Sequence, residues 1–313
     1  KFRLHYLPEI RSGKQKELMS DLVLSELGLV SNNYYQGFES MKLHLLFQAS
    51  YYLNTGSYKS AVRYYTELLN LFDEYEYFKQ NPPIYYFSTL EGIINSLLTA
   101  GFYDEIPAFI EKLKTLRKPD YPQDFLLKVH WSIFFSQIQY LIHTDRFTET
   151  KQVCFDYEYV LYKKVKSLHP ENQLKLYVCS AVIYLYNREL KQANGYIEKI
   201  NREGKTFQIF PVYKTARLLK LIIDAERAEY DLLENEIRSI KRSLEKEAQA
   251  YLTEKVVFKF VLMYPIPKYQ KAREQQWNKL EKDILKIRDN KYERHLLNIF
   301  DFTHWIEIKL TGK

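Results

Sequence analysis

The stretch that most constrains this chain runs from Leu45 to Leu69, where two apolar segments flank a tight turn at Gly56. On both sides of the turn, apolar residues recur every three or four positions: Leu45, Ala49 and Tyr52 before it, and Ala61, Tyr65 and Leu68 after it. Residues at this spacing share one face of a helix. Gly56 can adopt the positive φ that ends a helix, and Ser57 can cap the next helix. The stretch therefore predicts two helices that pair as a hairpin.

Six positions of this hairpin follow the order small residue, tyrosine, glycine, aromatic, alanine, tyrosine: Ala49, Tyr52, Gly56, Tyr58, Ala61 and Tyr65. In this the hairpin resembles a tetratricopeptide repeat, a helix-turn-helix unit of about 34 residues. It departs from that family at the first position, which is usually tryptophan and is Leu45 here, and at the closing proline, which is Asp73. The resemblance implies a right-handed superhelix of stacked hairpins.

Looser copies of the hairpin follow along the chain, at about 85–116, 124–168, 170–200 and 207–244. Their equivalent turn positions, with that of the first hairpin, are Gly56, Gly101, Asp145, Arg188 and Ala228. The spacings between these positions are 45, 44, 43 and 40 residues, so helices or connectors must be longer than in the standard repeat. Only 9 glycines and 10 prolines occur in the chain, which favours long helices.

We therefore predict an all-α fold, an α-solenoid of stacked antiparallel helix hairpins that is TPR-like. In this interpretation residues 1–32 are a lead-in with an N-terminal helix, and residues 33–248 are the hairpin repeats. Residues 249–313 are C-terminal helices that cap the stack, since terminal repeats normally present a polar outer face.

Composition limits the classes of protein to which this chain can belong. Hydrophobic residues make up 46% of the chain, which argues against disorder. Residues 1–150 contain 15 Lys/Arg and 17 Asp/Glu, whereas residues 151–313 contain 31 and 22. The basic half can attract nucleic acid or an acidic surface, although lysines interspersed with glutamates also occur on ordinary solvated helices. No apolar run reaches the 18 residues or so of a membrane span, so a cytoplasmic location is the default, and an upstream targeting segment stays open.

Catalytic and metal-binding patterns are missing from the sequence. Cys154 and Cys179 are too few for a disulfide scaffold or a zinc site. Gly204-Lys205-Thr206 matches only the end of a phosphate-binding loop, since Lys199 stands where the first glycine is required. We therefore expect no enzyme, no cofactor and no metal.

The resemblance instead points to a binding surface, because in tetratricopeptide proteins the first helix of each hairpin lines a concave groove that holds a peptide. Carried over by position, the groove candidates are Ser50, Asn54, Glu91, Asn95, Thr99, Gln139, His143, Lys175 and Tyr186. Asparagine and glutamine can pair with both the N–H and the C=O of an extended backbone. The same polar residues would equally suit an ordinary solvent-facing helix surface.

Three classes of function stay open at this point. The first is a non-enzymatic scaffold that binds a protein or peptide on its concave face, since solenoids offer long binding surfaces. The second is a sensor or regulatory module of a longer transcriptional or signalling regulator. The third is nucleic-acid binding by the basic C-terminal half, with an affinity that falls with salt. The identity of the partner is beyond the sequence.

Overall fold

The computed structural model of the protein describes residues 37–246, 251–290 and 293–312. Within those ranges the chain is helical, with turns and connectors but no strand, so the all-α prediction is confirmed. The helices of seven residues or more are α1 (Phe38–Asn54), α2 (Tyr58–Glu74), α3 (Pro83–Ala100), α4 (Ile106–Lys114), α5 (Gln123–His143), α6 (Thr150–Asp156), α7 (Pro170–Tyr186), α8 (Leu190–Arg202), α9 (Val212–Glu226), α10 (Tyr230–Lys246), α11 (Leu252–Val261), α12 (Gln270–Asp289) and α13 (Phe302–Thr311). The predicted lead-in and N-terminal helix at residues 1–32 lie outside the described residues.

The five predicted turn positions all adopt the left-handed backbone conformation. Their φ angles are 77° at Gly56, 80° at Gly101, 58° at Asp145, 59° at Arg188 and 61° at Ala228. This shared conformation confirms that the five positions are equivalent. A single left-handed residue ends a helix because it turns the chain while the following N–H groups reach back to the last free carbonyls.

The hydrogen bonds at four of these turns repeat the same pattern. The N–H after the left-handed residue donates to the carbonyl five residues earlier in Ser57–Tyr52 (2.9 Å), Phe102–Leu97 (3.0 Å), Glu189–Tyr184 (2.8 Å) and Glu229–Asp224 (3.0 Å). This is the Schellman arrangement, which satisfies helix carbonyls that otherwise have no partner. The hairpins are thus closed by one recurring backbone device, although the sequences of the turns differ.

The first hairpin is built around its two small residues. Ala49 on α1 and Ala61 on α2 have no exposed surface, and α1 and α2 pack against each other. Small side chains at a helix crossing allow the two backbones to approach closely. Beside them the rings of Tyr52 and Tyr64 stack with their centres 5.3 Å apart.

The chain divides into two compact units, residues 1–144 and 145–313, with the boundary inside the third predicted hairpin. In the first unit α1 to α5 each contact the next helix, and α1 contacts α3, which contacts α5. In the second unit α7 to α10 likewise contact in sequence, and α9 contacts both α7 and α11. In each unit the first helices of successive hairpins therefore pack together.

Helices are broken at two places in the second unit. The return helix of the third hairpin, predicted to continue to Leu168, is α6 followed by a π-helical turn over Glu158–Tyr162. Near the C-terminus a short helix, Arg294–Leu297, ends before α13, which begins at Phe302. Asp301 fixes this start, since its side chain accepts hydrogen bonds from the N–H groups of Thr303 (2.9 Å) and His304 (3.0 Å), as an N-cap residue does.

The start of α11 is capped from a distant part of the chain. The buried carboxylate of Glu293 accepts hydrogen bonds from the N–H of Leu252 at 2.7 Å and of Thr253 at 3.1 Å. The Thr253 hydroxyl donates to the same carboxylate at 2.8 Å. A negative charge at a helix N-terminus also interacts favourably with the helix dipole. The segment around Glu293 is thereby hydrogen-bonded to the first turn of α11.

The left-handed conformation of Ala228 leads to a testable prediction. The left-handed conformation destabilises a residue with a Cβ by about 1–2 kcal/mol relative to glycine. Glycine also increases the conformational entropy of the unfolded chain, which offsets part of this difference. We expect Ala228→Gly to raise the free energy of unfolding by about 1 kcal/mol, measured by urea denaturation.

The matched control is Ala225→Gly, a buried position one turn earlier in α9. There the same exchange should lower the free energy of unfolding by about 1 kcal/mol. Equal effects of the two substitutions would contradict the role assigned to the turn.

Candidate binding surface

Polar residues on α1 and α3 form two rows that the sequence predicted as groove positions. Ser50 and Asn54 lie one turn apart on α1, and Glu91, Asn95 and Thr99 follow each other at the same interval on α3. Residues four apart share a helix face. Since α1 and α3 are in contact, both rows belong to neighbouring helices of the first unit.

Tyr65 of α2 brings the two rows together. Its side chain is buried, and its hydroxyl is hydrogen-bonded to the side chain of Ser50. Burial raises the pKa of Tyr65, the Ser50 hydrogen bond opposes this shift, and the nearby Glu91 carboxylate adds to it. Tyr65 therefore interacts with Ser50 of α1 through a hydrogen bond and with Glu91 of α3 through its charge.

The ring of Tyr65 fits over Gly92 because glycine has no Cβ. A Cβ at position 92 would lie 2.2 Å from Cζ of Tyr65 and 2.7 Å from its hydroxyl oxygen. Both distances are far below van der Waals contact. A Cβ at this position would displace the tyrosine ring, so glycine lets α3 lie this close to the buried Tyr65.

Exposure differs among the candidates of these rows. Asn54 and Asn95 are exposed, whereas Ser50, Glu91 and Thr99 are partly exposed. The Asn54 amide donates to the carbonyl of Ser50 at 2.8 Å, and the Thr99 hydroxyl donates to the carbonyl of Asn95 at 2.7 Å. A side-chain amide has further donor and acceptor capacity beyond one such bond. The two asparagines are therefore the candidates best placed to meet a ligand backbone.

The two candidates on α5, Gln139 and His143, are packed more closely by neighbouring residues than the two asparagines are. Gln139 exposes only 2% of its surface, so it lies inside the first unit. The imidazole of His143 stacks on the ring of Tyr103, with centres 5.1 Å apart and nearly parallel planes. We therefore treat Gln139 as a packing residue and His143 as part of an aromatic pair at the edge of the unit.

In the second unit, Lys175 and Tyr186 both have partners on their own unit. Lys175 forms an ion pair with Glu171 at 2.7 Å. The ring of Tyr186 stacks on Phe147 at 3.9 Å and meets Trp305 edge-on at 5.3 Å. Burial raises the pKa of Tyr186 well above its ordinary value, and the carboxylates of Asp301 and Asp145 add to the shift. Tyr186 is thus packed beneath residues of the C-terminal segment.

The structure also joins residues that lie far apart in the chain and share no sequence pattern. His304 Nε2 lies 3.2 Å from Asp145 Oδ1, although 159 residues separate them. Glu226 accepts hydrogen bonds from Tyr264 and from Lys309, the latter at 2.8 Å. These contacts attach α13 to the rest of the second unit, and no local pattern could have revealed them.

A buried polar cluster lies under the π-helical turn of the second unit. The Tyr162 hydroxyl donates to Cys154 Sγ at 3.3 Å and lies 2.9 Å from Ser180 Oγ. Burial raises the pKa of the Cys154 thiol to about 11, against a small opposing effect of the Tyr162 hydrogen bond. A thiol of this kind is protonated near neutral pH and is a poor nucleophile.

Among the described residues, no group of three or more His, Cys, Asp and Glu side chains is arranged to hold a metal ion. Within the same residues, no helix combines the length and the apolarity that crossing a bilayer demands.

Comparisons of the chain with models of protein families, with curated proteins and with solved structures find no match.

The fit of Tyr65 over Gly92 can be tested by overpacking. Gly92→Ala should lower the free energy of unfolding by about 1–3 kcal/mol, because the added methyl group forces the buried ring to move. In a Tyr65→Leu background, which removes the atoms nearest to the new Cβ, the cost should shrink, and a double-mutant cycle in urea measures this coupling.

Gly195→Ala serves as the control, since Gly195 lies within α8 and a Cβ there would meet nothing within 4 Å. This substitution should raise stability by about 1 kcal/mol through helix propensity alone. Additive effects of Gly92→Ala and Tyr65→Leu would contradict the proposed contact.

The raised pKa of Cys154 predicts slow alkylation of the folded chain. With a pKa of about 11 in place of 9.0, the thiolate fraction at about pH 8 falls roughly 100-fold. Iodoacetamide labelling of the Cys154 peptide, followed by mass spectrometry, should accelerate about tenfold per pH unit until the pH approaches the raised pKa. In urea the rate should follow an ordinary thiol, and equal rates in the folded and unfolded chain would refute the prediction.

Proposed function

We propose that this chain is a non-enzymatic scaffold that binds an extended protein or peptide segment on the polar face of α1 and α3. In this proposal the hairpins stack as a TPR-like α-solenoid, and the first helices line the binding face. The ligand backbone pairs with Asn54 and Asn95, while Glu91 attracts a cationic or hydrogen-bond-donating side chain.

The observation that carries the proposal is the position of Tyr65 between the two polar rows. Its hydroxyl is hydrogen-bonded to Ser50 of α1 and its pKa is influenced by Glu91 of α3, while its ring lies over Gly92 of α3, so Tyr65 links both helices that carry the rows. A surface held from beneath by a buried ring loses little conformational freedom when a ligand binds, which favours affinity.

Direct contacts join α1 to α3 and α3 to α5, so the proposed binding surface can extend along these helices. Successive first helices in contact offer a ligand a row of helix faces within the first unit, as stacked helical repeats do. Gln139 is left out of the binding surface because its side chain is buried. His143, stacked on Tyr103, marks the edge of the proposed surface on α5.

The test begins with panning of a random peptide library against the intact chain. Peptides that are enriched should bind the Asn54→Ala/Asn95→Ala variant at least about tenfold more weakly by fluorescence anisotropy, since each lost hydrogen bond costs about 1 kcal/mol. Both asparagines are exposed, so the variant should retain its fold.

The matched control is Thr66→Ala/Asn70→Ala on α2, where both residues are exposed but belong to the second helix of the hairpin. This variant should bind the enriched peptides as well as the parent chain does. The proposal fails if panning enriches no peptide, or if the enriched peptides bind all three chains equally.

A further inference from the structure

Two large aromatic side chains are exposed about one helical turn apart on the second unit. Phe155 exposes 70% of its surface and Tyr159 exposes 69%. The ammonium group of Lys163 lies 3.8 Å from the centre of the Tyr159 ring. An exposed aromatic ring next to a cation is suited to a partner that is planar and negatively charged.

The segment that carries these aromatics is anchored from its other side. Tyr157 and Leu161 are buried, and the Tyr162 hydroxyl is bonded to Cys154 and Ser180 inside the unit. The inward residues alternate with Phe155 and Tyr159, which point outward. Because the segment is held by packing and by a buried polar cluster, the exposed rings form a fixed platform and not the tip of a free loop.

Cationic side chains continue from this platform. Lys163, Lys164 and Lys166 follow it in the chain and are exposed. Lys166 pairs with Glu203 at the end of α8, which brings the segment next to Lys199 and Arg202. The Lys199 ammonium lies 4.3 Å from the centre of the Tyr196 ring and 5.9 Å from that of Tyr177.

Tyr177 is also within reach of the charges of Glu203 and Lys166. The charges of Lys166 and Lys199 therefore both act on Tyr177, although 33 residues separate the two lysines in the chain. We call the set of Phe155, Tyr159, Lys163, Lys164, Lys166, Lys199 and Arg202 the basic–aromatic surface. Within residues 155–166 and 199–203 its five cations are accompanied by three carboxylates, Asp156, Glu158 and Glu203, the last of which pairs with Lys166.

We propose that the basic–aromatic surface binds single-stranded nucleic acid. Bases stack on Phe155 and Tyr159, and the phosphates that follow pair with the lysines and Arg202. This activity is separate from the peptide binding proposed for α1 and α3, since it uses other residues on the other unit.

Two other partners fit the same observations less well. Insertion into a lipid surface would draw Asp156 and Glu158, which lie between the two aromatics, toward the apolar layer at a high cost. An acidic peptide would satisfy the lysines but has no planar group for each exposed ring. A single strand supplies both a stacking face and a phosphate at every nucleotide.

The experiment measures anisotropy of fluorescein-labelled oligo-dT and oligo-U of about 20 nucleotides with the full chain, between about 50 and 200 mM salt. Phe155→Ala and Tyr159→Ala should each weaken binding about tenfold and leave the salt dependence unchanged, because they remove stacking alone. Lys163→Gln/Lys164→Gln should reduce the slope of log affinity against log salt by about 1.4, since each phosphate contact on a single strand contributes about 0.7.

A matched control lies on α12, where Leu285 exposes 52% of its surface and Lys282 and Lys286 are exposed. The Leu285→Ala and Lys282→Gln/Lys286→Gln variants should bind the oligonucleotides as the parent chain does. The proposal is overturned if the parent chain does not bind at low salt, or if the α12 variants lose as much affinity as those of the basic–aromatic surface. It is also overturned if the Phe155→Ala variant loses binding to phosphatidylserine vesicles or to an oligo-glutamate peptide while its affinity for the oligonucleotides is unchanged.

Discussion

A helix that must reverse direction has to satisfy its last carbonyl groups, and the hairpins of this chain depend on one backbone solution to that requirement. A single left-handed residue turns the chain at five positions, and at four of them the next N–H reaches back to the carbonyl five residues earlier. Three of the five positions are not glycine, so the turn is kept at a conformational cost. Since the backbone closes the hairpins, the side chains around each turn are free to vary, and so are the lengths of the connectors.

Tyrosine supplies much of the packing between these hairpins, because it combines a large apolar ring with one hydrogen-bonding group. Tyr65 places its ring over Gly92 and its hydroxyl against Ser50. In the second unit the hydroxyl of Tyr162 is hydrogen-bonded to both Cys154 and Ser180. In both units such a tyrosine makes a hydrogen bond to the helix that carries part of the surface proposed to bind a ligand, α1 for Tyr65 and α6 for Tyr162. Packing and recognition are thus linked, since the residue that orders the core also orders the surface.

Local features could be predicted from the sequence and contacts between distant residues could not. The turn positions and the buried face of Ala49 and Ala61 follow from spacing alone, and the structure agrees with both. The burial of Tyr186 depends on Trp305, far along the chain, and helical periodicity carries no information about such a partner. The break before Phe302 likewise depends on one capping side chain, Asp301, within an otherwise apolar segment. The solvent exposure of each polar residue therefore could not be predicted from the sequence and is seen only in the structure.

The cap on α11 has a consequence for the order in which the chain can assemble. The first N–H groups of α11 bond to the carboxylate of Glu293, about 40 residues later in the sequence. During synthesis on the ribosome, α11 leaves the exit tunnel before its cap has been made, and its first turn then has only the bonds of Tyr251 and Glu254. The helix is completed only when the segment around Glu293 returns to it. The second unit therefore closes only after the residues around Glu293 have been made, although α7 to α9 can pair as soon as they emerge.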